Sequence, residues 1–473
     1  MPEKFLVGNK LVSTETVKTI INPYTKTTGS EIFAADESHF NQSADYLVKA
    51  FEEYKKLPSF KRAELLHKIT DKIKQRKDNL AHQITLETGK PIKFSRVEID
   101  RAILTFTLGA EEAIRMNGEV LPLDLLPGSE NKMGIVRRFP IGLILGITPW
   151  NFPVNLVAHK VSPALASGNV IMLKPSSNSM KCGIEIGKII LESCEEIGLS
   201  FCPINVLTIG GADIDKHLAD ERIKMISFTG SQDIGWDIKK KAYKQKVGLE
   251  LGGNAGVIID NTVNIDTVIP KLIIGGFSSA GQSCISVQRV YIEEKIYEEL
   301  RSKLIEAVKK VKFGNPFEED TIVGPMITEN EAIRAESWIN EARESGANIL
   351  TGGNRNGAVL EPTVIESPAN NLKVKCEEVF APIITIDKFT NFEEAVNEIN
   401  NSRFGLQAGV FTNDLQKAIY AYNNIHTGGV IINDVSAYRM DSMPYGGVKD
   451  SGNSREGVAW AIKEMTEEKI MVM

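Results

Sequence analysis

The chain has 473 residues, of which 42% are hydrophobic and 25% charged, and its 55 basic and 61 acidic side chains give a formal net charge of −6. This composition is typical of a folded protein of about three structural units, and so small a charge excess excludes an electrostatic argument for nucleic acid or a membrane as the partner. No apolar stretch approaches the ~20 residues of a spanning helix, and the N-terminus lacks the pattern of an export signal. The sequence therefore predicts a cytoplasmic protein.

Three segments lie outside the main pattern of strands and helices. Between residues 60 and 88 apolar positions recur at helical spacing, which predicts one long amphipathic helix that stops at Gly89. Residues 118–140 are rich in proline, glycine and short strand-like pieces, and the chain closes with an apolar run at residues 469–473. Because an exposed strand edge needs a cover, we interpret the last two segments as pairing across a subunit boundary. The alternative is a terminal strand that joins a sheet of its own chain.

The rest of the chain alternates between two kinds of pattern. From residue 141 to residue 228 short β-rich runs alternate with helical patterns, and the strands are apolar on both faces. A second series begins near Asn254 and includes a predicted helix around Ala280 and another over residues 296–311. Such alternation indicates parallel sheets covered by helices. The predicted fold class is α/β with two parallel-sheet domains.

Two polar residues stand among apolar or rigid neighbours. Asn151 lies within the run of residues 149–153, so its amide could donate to an oxyanion or, alternatively, cap a helix. Glu250 lies among apolar and glycine residues, where burial would raise its pKa toward that of a useful base. The alternative for Glu250 is an ordinary solvated carboxylate.

A glycine turn follows the predicted strand that ends at residue 228. Gly230 and Gly235 have the spacing of a phosphate loop, but Trp236 and Asp237 replace the Lys and Ser/Thr of a nucleotide triphosphatase. The free N–H groups at the following helix start would suit a pyrophosphate. A turn without a ligand is the alternative.

The five cysteines form neither a disulfide framework nor a metal site, because they are few, scattered and remote from the isolated histidines. Cys182 and Cys194 share the apolar stripe of one predicted helix and should be buried. Cys202 and Cys376 have no activating neighbour in sequence. Cys284 follows a run of small residues that lets backbone or ligand approach the sulfur, and backbone N–H groups could favour its thiolate.

Taken in this order, the segments resemble the aldehyde dehydrogenase superfamily over about residues 22–456, in particular the branch that oxidises lactaldehyde, phosphonoacetaldehyde, succinate semialdehyde and similar short substrates. The segments that carry the resemblance are Pro149-Trp150-Asn151-Phe152-Pro153, Leu173-Lys174-Pro175-Ser176, Phe228-Thr229-Gly230-Ser231, residues 249–254, Gly281-Gln282-Ser283-Cys284, Glu377-Glu378-Val379-Phe380 and residues 444–449. Each segment alone is weak evidence, but so many matching segments in the same order make a chance match improbable.

The resemblance implies a mechanism and a cofactor. Cys284 would attack the aldehyde carbon, and Asn151 with the Cys284 backbone N–H would hold the oxyanion. After hydride transfer to NAD or NADP, Glu250 would activate the water that hydrolyses the thioester. Lys174 and Glu378 would hold the two riboses. The other implied cofactor contacts are Thr148, Pro149, Trp150, Ser176, Ser177, Gly210, Phe228, Thr229, Gly230, Ser231, Gly235, Leu251 and Phe380.

One departure from the family bears on the choice between NAD and NADP. In many NAD-preferring members an acid stands three positions after the equivalent of Lys174 and binds the adenine ribose hydroxyls. Here that position is Ser177. Without a carboxylate to repel a 2′-phosphate, we expect NADP to be tolerated.

The residues expected around the substrate are polar or cationic. Asn155 and His159 follow Asn151 on what we predict to be the same helix, so they could share a face toward the substrate tunnel. Arg101 and Arg439 fall on a helix and a loop that line the substrate entrance in the family, and Ser283 precedes the cysteine. Such residues would favour a small hydroxylated or anionic aldehyde. The alternative is that the two arginines make structural ion pairs.

The resemblance also implies the domain organisation. A cofactor-binding domain would comprise residues 1–117 and 141–252, and a catalytic domain residues 253–452. Residues 118–140 and 453–473 would form an oligomerisation arm and tail of a homodimer or homotetramer.

Three rival functions remain open at this point. One is a CoA-acylating aldehyde dehydrogenase, in which a thiol rather than water accepts the acyl group. Another is a cysteine acyltransferase or hydrolase that pairs Cys284 with His159 and uses no nicotinamide. The third is a structural protein that has lost its activity.

Overall fold

The computed structural model describes residues 1–473. The first part of the chain contains, in order, β1 (Phe5–Val7), β2 (Lys10–Val12), β3 (Val17–Ile21), β4 (Thr28–Phe33), α1 (Glu37–Tyr54), α2 (Ser59–Gln75), α3 (Lys77–Thr88), α4 (Ile92–Ala113), β5 (Glu119–Pro122), β6 (Met133–Pro140), β7 (Leu143–Ile147), α5 (Asn155–Ser167), β8 (Val170–Lys174), α6 (Met180–Glu196), β9 (Ile204–Val206), α7 (Gly211–Asp215), β10 (Ile223–Thr229), α8 (Gln232–Lys241) and β11 (Lys246–Glu250).

The second part of the chain contains, in order, β12 (Gly256–Ile259), α9 (Ile265–Phe277), β13 (Arg289–Glu293), α10 (Glu294–Val308), α11 (Glu329–Glu344), β14 (Asn348–Thr351), β15 (Arg355–Asn356), β16 (Val359–Leu360), β17 (Thr363–Glu366), α12 (Lys373–Cys376), β18 (Ile383–Phe389), α13 (Phe392–Asn400), β19 (Phe404–Gly405), β20 (Gln407–Phe411), α14 (Leu415–Asn424), β21 (Gly429–Ile432), β22 (Val448–Lys449), α15 (Val458–Glu464) and β23 (Thr466–Val472). No helix combines the length and the apolar character that crossing a membrane would require.

The first large sheet has the strand order β11-β10-β7-β8-β9-β1-β2, and its strands from β7 to β11 are parallel. Every residue of β7 and β8 is buried, as expected for strands covered by helices on both faces. Ile147 aligns with Lys174 and with Phe228 in the neighbouring strands, and Thr229 aligns with Glu250. The carboxyl ends of four strands therefore meet at one edge, where open α/β sheets bind their ligands.

The second large sheet has the order β14-β17-β18-β13-β12-β20-β21 and is parallel except for β14. It has its own hydrophobic core of 35 buried residues, separate from the 63-residue core of the first sheet. Val458 and Ile462 of α15 return to the first core. The two sheets confirm the predicted α/β class.

The predicted single helix over residues 60–88 is wrong, because α2 and α3 are separated at Arg76. This residue has φ −105° and ψ 13°, outside the helical region. Ile84 of α3 nevertheless continues the buried stripe of Ile69 into the same core. The apolar periodicity therefore runs through a break that no glycine or proline marks.

The predicted helix around Ala280 is also wrong. α9 ends at Phe277, and Ser279 and Ala280 take left-handed conformations with φ 52° and 58°. Gly281 follows with φ 65°, and a Cβ there would lie 2.2 Å from the carbonyl oxygen of Ala381. Close packing of two loops, rather than helical propensity, shapes this segment.

The arm and the end of the chain form one three-stranded antiparallel sheet, in which β6 pairs with both β5 and β23. Pairing of residues 118–140 with residues 469–473 across a subunit boundary is therefore wrong, since the terminal strand joins the arm of its own chain. Both segments still present apolar surface to solvent. The exposed apolar residues of this sheet and its turn are Val120, Leu125, Leu126, Met133, Phe139, Ile470, Met471 and Val472.

Candidate active site

The carboxyl edge of the first sheet and the loops of the second enclose a cavity of about 660 Å³. The residues predicted from the sequence that line it are Arg101, Pro149, Trp150, Asn151, Asn155, Thr229, Gly230, Ser231, Glu250, Leu251, Ser283, Cys284, Glu378, Phe380 and Arg439. The predicted site residues that do not line it are Thr148, His159, Lys174, Ser176, Ser177, Gly210, Phe228 and Gly235.

Cys284 is carried to the cavity by the left-handed segment that follows α9. The loop packs closely on its surroundings, because a Cβ on Gly253 would lie 2.2 Å from the carbonyl oxygen of Cys284. Gln282 ties the loop down, since its side-chain oxygen accepts the Ile327 N–H at 2.9 Å and its amide donates to the Pro325 carbonyl at 3.3 Å. The small residues before the cysteine thus permit close approach of backbone, as predicted.

The sulfur of Cys284 lies 2.8 Å from the hydroxyl oxygen of Tyr445. Burial raises the pKa of the Cys284 thiol to about 12, although the hydrogen bond with Tyr445 opposes this shift. The prediction that backbone N–H groups favour the thiolate is therefore wrong for this arrangement, in which the protonated thiol is the stable form. Cys182 and Cys194 are buried on one face of α6, as predicted.

Asn151 lies in the loop before α5, whose N-cap position is Val154. Neither the predicted shared helix with Asn155 nor the helix-cap alternative for Asn151 is correct. The Asn151 amide nitrogen donates to the carbonyl oxygen of Gln282 at 3.1 Å, while its side-chain oxygen is buried without a partner. One N–H of the amide is thus fixed on the cysteine loop, and the second is free to donate to a ligand.

Glu250 ends β11 with its carboxylate buried. One oxygen accepts the Ser454 hydroxyl at 2.8 Å, and the other has no partner. Burial raises the pKa of Glu250 well above its usual range, and the neighbouring Glu456 carboxylate raises it further. The predicted effect of burial on this carboxylate is confirmed.

Glu456 stays ionised beside Glu250 because cations surround it. Lys160 lies 3.7 Å from one of its oxygens, and Arg439 donates to the other at 2.8 Å. Although burial opposes ionisation, Arg439, His159 and Lys160 together hold the pKa of Glu456 at about 2. Two adjacent carboxylates therefore differ widely in proton affinity, a pattern typical of sites that move protons.

Asp441 gathers three of the predicted substrate residues. Arg101 donates to its two oxygens at 3.0 and 2.7 Å, and Asn155 donates at 3.2 Å. The ring nitrogen Nε2 of His159 lies 2.8 Å from the same carboxylate. Asn155 and His159 thus share a face of α5 as predicted, but His159 is fully buried behind the cavity wall.

Arg439 lies over the ring of Tyr445, with its guanidinium carbon 3.7 Å from the ring centroid. Each predicted arginine therefore pairs with a buried carboxylate, Arg101 with Asp441 and Arg439 with Glu456. Each also borders the cavity. Arg439 retains an unpaired donor in its ion pair, because its Nε is buried without a partner.

The chain is similar to known proteins over nearly its whole length. The chain matches the model of the aldehyde dehydrogenase family over residues 11–471. The chain belongs to the aldehyde dehydrogenase family. It is 42% identical to 3-sulfolactaldehyde dehydrogenase from Priestia aryabhattai over 459 residues, which cover 96% of this chain and 94% of the relative. Family membership confirms the predicted oxidoreductase class and the dependence on NAD or NADP.

Solved structures of the family superpose closely on this aldehyde dehydrogenase. Aldehyde dehydrogenase 21 from Physcomitrella patens, in complex with the reaction product succinate, gives a TM-score of 0.97 at 44% identity and covers 100% of this chain and 98% of its own. The glyceraldehyde-3-phosphate dehydrogenase GapN from Methanocaldococcus jannaschii, complexed with NADP, gives a TM-score of 0.93 at 37% identity. It covers 97% of this chain and 100% of its own.

The carboxyl edge of the first sheet fits a dinucleotide. α8 begins at Gln232, directly after its N-cap residue Ser231, so its first N–H groups have no partner within the helix. A Cβ on Gly235 would lie 2.3 Å from a methyl group of Leu251, so α8 packs directly against the end of the sheet. The Thr148 hydroxyl at the end of β7 is buried without a partner.

Lys174 and Glu378 add two charged groups to this edge. Lys174 is 7% exposed, and burial, with Lys18 nearby, lowers the pKa of its ammonium to about 8. Glu378 accepts the Gly253 N–H at 2.9 Å, and burial raises its pKa to about 7. A buried ammonium without a carboxylate partner suits ribose hydroxyls or a phosphate.

Trp150 and Phe380 meet edge to face, with ring centroids 5.7 Å apart, and both line the cavity that Cys284 also lines. Phe380 has φ 49°, an unusual conformation for a bulky residue. Aromatic rings in the wall of this cavity offer surface against which a nicotinamide ring could pack.

Sequence reasoning missed several side chains of the site. Tyr445 and Gln282 stood in segments that carried the family resemblance, but neither had been given a role. Asp441 carried no spacing signal, because 282 residues separate it from His159. Glu456 carried none either, because Arg439 lies 17 residues before it and Lys160 lies in a distant part of the chain. Only the folded chain brings these charges together.

Proposed function

We propose that this aldehyde dehydrogenase oxidises a small anionic aldehyde to its carboxylic acid through a thiohemiacetal and a thioester on Cys284. The observation that carries the proposal is that Cys284, Asn151 and Glu250 line one cavity together with two arginines. A nucleophile, an oxyanion donor and a base within one cavity are the parts that acyl transfer to water requires.

In the first step the Cys284 thiolate, formed by loss of the thiol proton to water, forms a bond to the aldehyde carbon. The π bond of the carbonyl breaks, and negative charge develops on the aldehyde oxygen. The second N–H of the Asn151 amide and the backbone N–H of Cys284 are the proposed donors to that oxygen. The Gln282 carbonyl fixes the Asn151 amide before substrate arrives. Donors that are held in place in this way stabilise the oxyanion without further reorganisation.

A bound nicotinamide would supply the hydride acceptor that converts the thiohemiacetal on Cys284 to a thioester. Glu250 is then the proposed base, and its unpartnered oxygen takes a proton from the attacking water. Ser454 holds the other oxygen and so sets the direction of the carboxylate. Hydrolysis breaks the carbon–sulfur bond and releases the acid.

The anionic group of the substrate is proposed to bind between Arg101 and Arg439. Both guanidiniums border the cavity, and each uses only some of its N–H donors on its carboxylate partner. Arginine suits carboxylates and sulfonates because its donors form a planar fork. The relatives described above support this class, since one acts on sulfolactaldehyde and another holds succinate.

Arg101→Met tests the proposed substrate class. We expect the KM for succinate semialdehyde to rise about tenfold to a hundredfold, the usual worth of a hydrogen bond to a charged group. The KM for propanal, which has no anionic group, should change by less than about twofold. Steady-state kinetics with both aldehydes measures the difference.

Arg96→Met is the matched control, because Arg96 lies on the same helix and pairs on the surface with Glu319. It should leave both KM values unchanged. Equal effects of Arg101→Met on the two aldehydes would contradict an anion-binding role and favour the purely structural ion pair with Asp441.

The proposed cofactor preference includes NADP. Ser177 is exposed and carries no charge, and Lys174 lies three residues before it at the same end of β8. Ser177→Glu should weaken NADP binding at least about tenfold, because a carboxylate would repel the 2′-phosphate, and should leave NAD binding equal or tighter. Calorimetric titration with each cofactor measures both Kd values.

Ser200→Glu provides the control for the added charge. Ser200 is exposed before the amino end of β9, at the opposite edge of the sheet. Unchanged NADP affinity in Ser177→Glu would contradict the proposed position of the adenine ribose.

We further propose the division into a cofactor-binding domain of residues 1–117 and 141–252, a catalytic domain of residues 253–452 and an arm and tail of residues 118–140 and 453–473. The exposed apolar residues of the arm support its use as the surface on which homodimers or homotetramers assemble.

A further inference from the structure

We propose that the Tyr445 hydroxyl is a catalytic group that donates a hydrogen bond to the Cys284 sulfur and stabilises its thiolate. The inference rests on the proposed role of Cys284 as the nucleophile. It adds to that role a specific partner for the reacting atom.

The contact between the two side chains is direct and well confined. The hydroxyl oxygen lies 2.8 Å from the sulfur, and no other group hydrogen bonds to this hydroxyl. Tyr445 is 4% exposed and packs against Ile285 and Leu406. The phenol therefore has one partner and little freedom to leave it.

The backbone and the ring of Tyr445 are both held in place. Its N–H donates to the Glu456 carbonyl at 3.0 Å and its carbonyl accepts the Glu456 N–H at 2.6 Å, a two-bond bridge between chain segments. The Arg439 guanidinium covers the ring at 3.7 Å. Because the backbone and the ring of Tyr445 are both held, its hydroxyl is pre-organised for a single geometry.

The direction of the hydrogen bond follows from the chemistry of the two groups. A thiolate has no proton and can only accept, so the phenol must be the donor once Cys284 ionises. Burial keeps the pKa of Tyr445 well above its usual value, so the phenol retains its proton. Tyr445 can therefore serve as a donor at neutral pH.

Three other charged groups also affect the pKa of the Cys284 thiol. Glu378 and Glu250 raise the pKa of Cys284, and Arg439 lowers it. Arg439 is already engaged by Glu456, and it does not hydrogen bond to the sulfur. Tyr445 supplies the single side-chain hydrogen bond to the nucleophile.

This role also fits the two halves of the proposed reaction. A thiolate is the attacking species in the first half and the leaving group in the second. Once the sulfur is bonded to carbon it becomes a weaker acceptor, so the hydrogen bond favours the free thiolate over the acylated enzyme. Loss of the hydroxyl should slow both attack and release.

The test uses the full-length protein without cofactor or aldehyde. Iodoacetamide alkylates the Cys284 thiolate with loss of iodide, and the rate is measured against pH with peptide mapping to assign the modified cysteine. In Tyr445→Phe we expect the apparent pKa of alkylation to rise by about one unit and the rate at neutral pH to fall about tenfold. The phenylalanine retains the ring, so the melting temperature should change little.

Tyr422→Phe is the control, since that phenol is exposed on α14. It should reproduce the wild-type profile. A Tyr445→Phe profile that superimposes on the wild type would overturn the proposal, because removal of the hydroxyl would then leave the thiolate equally stable.

A second variant covers the case in which Tyr445→Phe does not fold. Fluorotyrosine at position 445 is a stronger donor in nearly the same volume, so the apparent pKa of alkylation should fall. A rise or no change would overturn the proposal. Aldehyde-dependent reduction of NADP by the wild type is measured separately, so failure of the proposed function is distinguishable from failure of this inference.

Discussion

Replacing Cys284 with alanine is expected to abolish aldehyde-dependent reduction of NADP, with turnover falling by about four orders of magnitude or more. The proposed mechanism has no route to the acid without a sulfur to form the thiohemiacetal. Cofactor binding should persist, since the groups at the carboxyl edge of the first sheet remain. Absorbance of the reduced nicotinamide and calorimetric titration with NADP measure the two effects.

Cys376→Ala is the matched control for this prediction. Cys376 is partly exposed in α12 and does not line the cavity, so its loss should leave turnover within about twofold of the wild type. Turnover by Cys284→Ala near the wild-type rate would remove the nucleophile from the proposed mechanism. A fall in both variants would point to general loss of the fold.

Replacing Glu250 with glutamine is expected to stop the reaction after its first half. The variant should form about one reduced nicotinamide per active site in a rapid burst and then turn over about 10²–10⁴-fold more slowly than the wild type. The thioester should accumulate on Cys284, because the amide cannot take a proton from water. Stopped-flow absorbance and the mass of the acid-quenched protein measure the burst and the adduct.

The pH dependence gives this prediction a second readout. Because burial and Glu456 raise the pKa of Glu250 well above its usual range, thioester hydrolysis in the wild type should become faster as the pH rises through that raised pKa and the carboxylate forms. The rise should be absent in Glu250→Gln. Glu344→Gln, an exposed carboxylate change at the end of α11, serves as the control.

Two outcomes would contradict the assignment of Glu250. Steady turnover of Glu250→Gln at the wild-type rate would require another base. A wild-type rate that depends on added CoA would mean that a thiol, rather than water, accepts the acyl group, and would favour the acylating alternative.

The parts of the fold that follow from periodicity were predictable. Strands β7 and β8 read as apolar on both faces and are buried on both faces. The break between α2 and α3 was not predictable, because Arg76 is an ordinary helix former and the apolar stripe continues on both sides. Ala280 itself favours a helix, yet the segment takes a left-handed turn in which Gly281 packs closely on Ala381.

The candidate site likewise has residues that could be predicted from the sequence and residues that could not. Cys284, Glu250 and Asn151 stood out through their own neighbours in sequence, and the structure brings all three to one cavity. Asp441 did not stand out in the sequence, because its role depends on partners such as Arg101, which lies 340 residues away. Partners across tertiary contacts leave no local pattern in a single sequence.

The pairing of the arm shows a different limit of prediction from sequence. The apolar run at residues 469–473 signalled a strand that needs a partner, and β6 supplies one. Strand complementarity is the same whether the partner is in the same chain or in another. Sequence pattern alone therefore could not decide between the two.

The central claim is that Cys284 carries the acyl group and that water releases it. Its most direct test mixes the wild type with succinate semialdehyde and NADP in the absence of CoA, quenches with acid during the first turnovers, and measures the mass of the peptide that contains Cys284 together with reduced nicotinamide and free acid. We expect a succinyl adduct on Cys284 and succinate formed in equal amount to reduced nicotinamide in the steady state. Reduced nicotinamide and succinate without any adduct on Cys284, or no succinate until CoA is added, would contradict it.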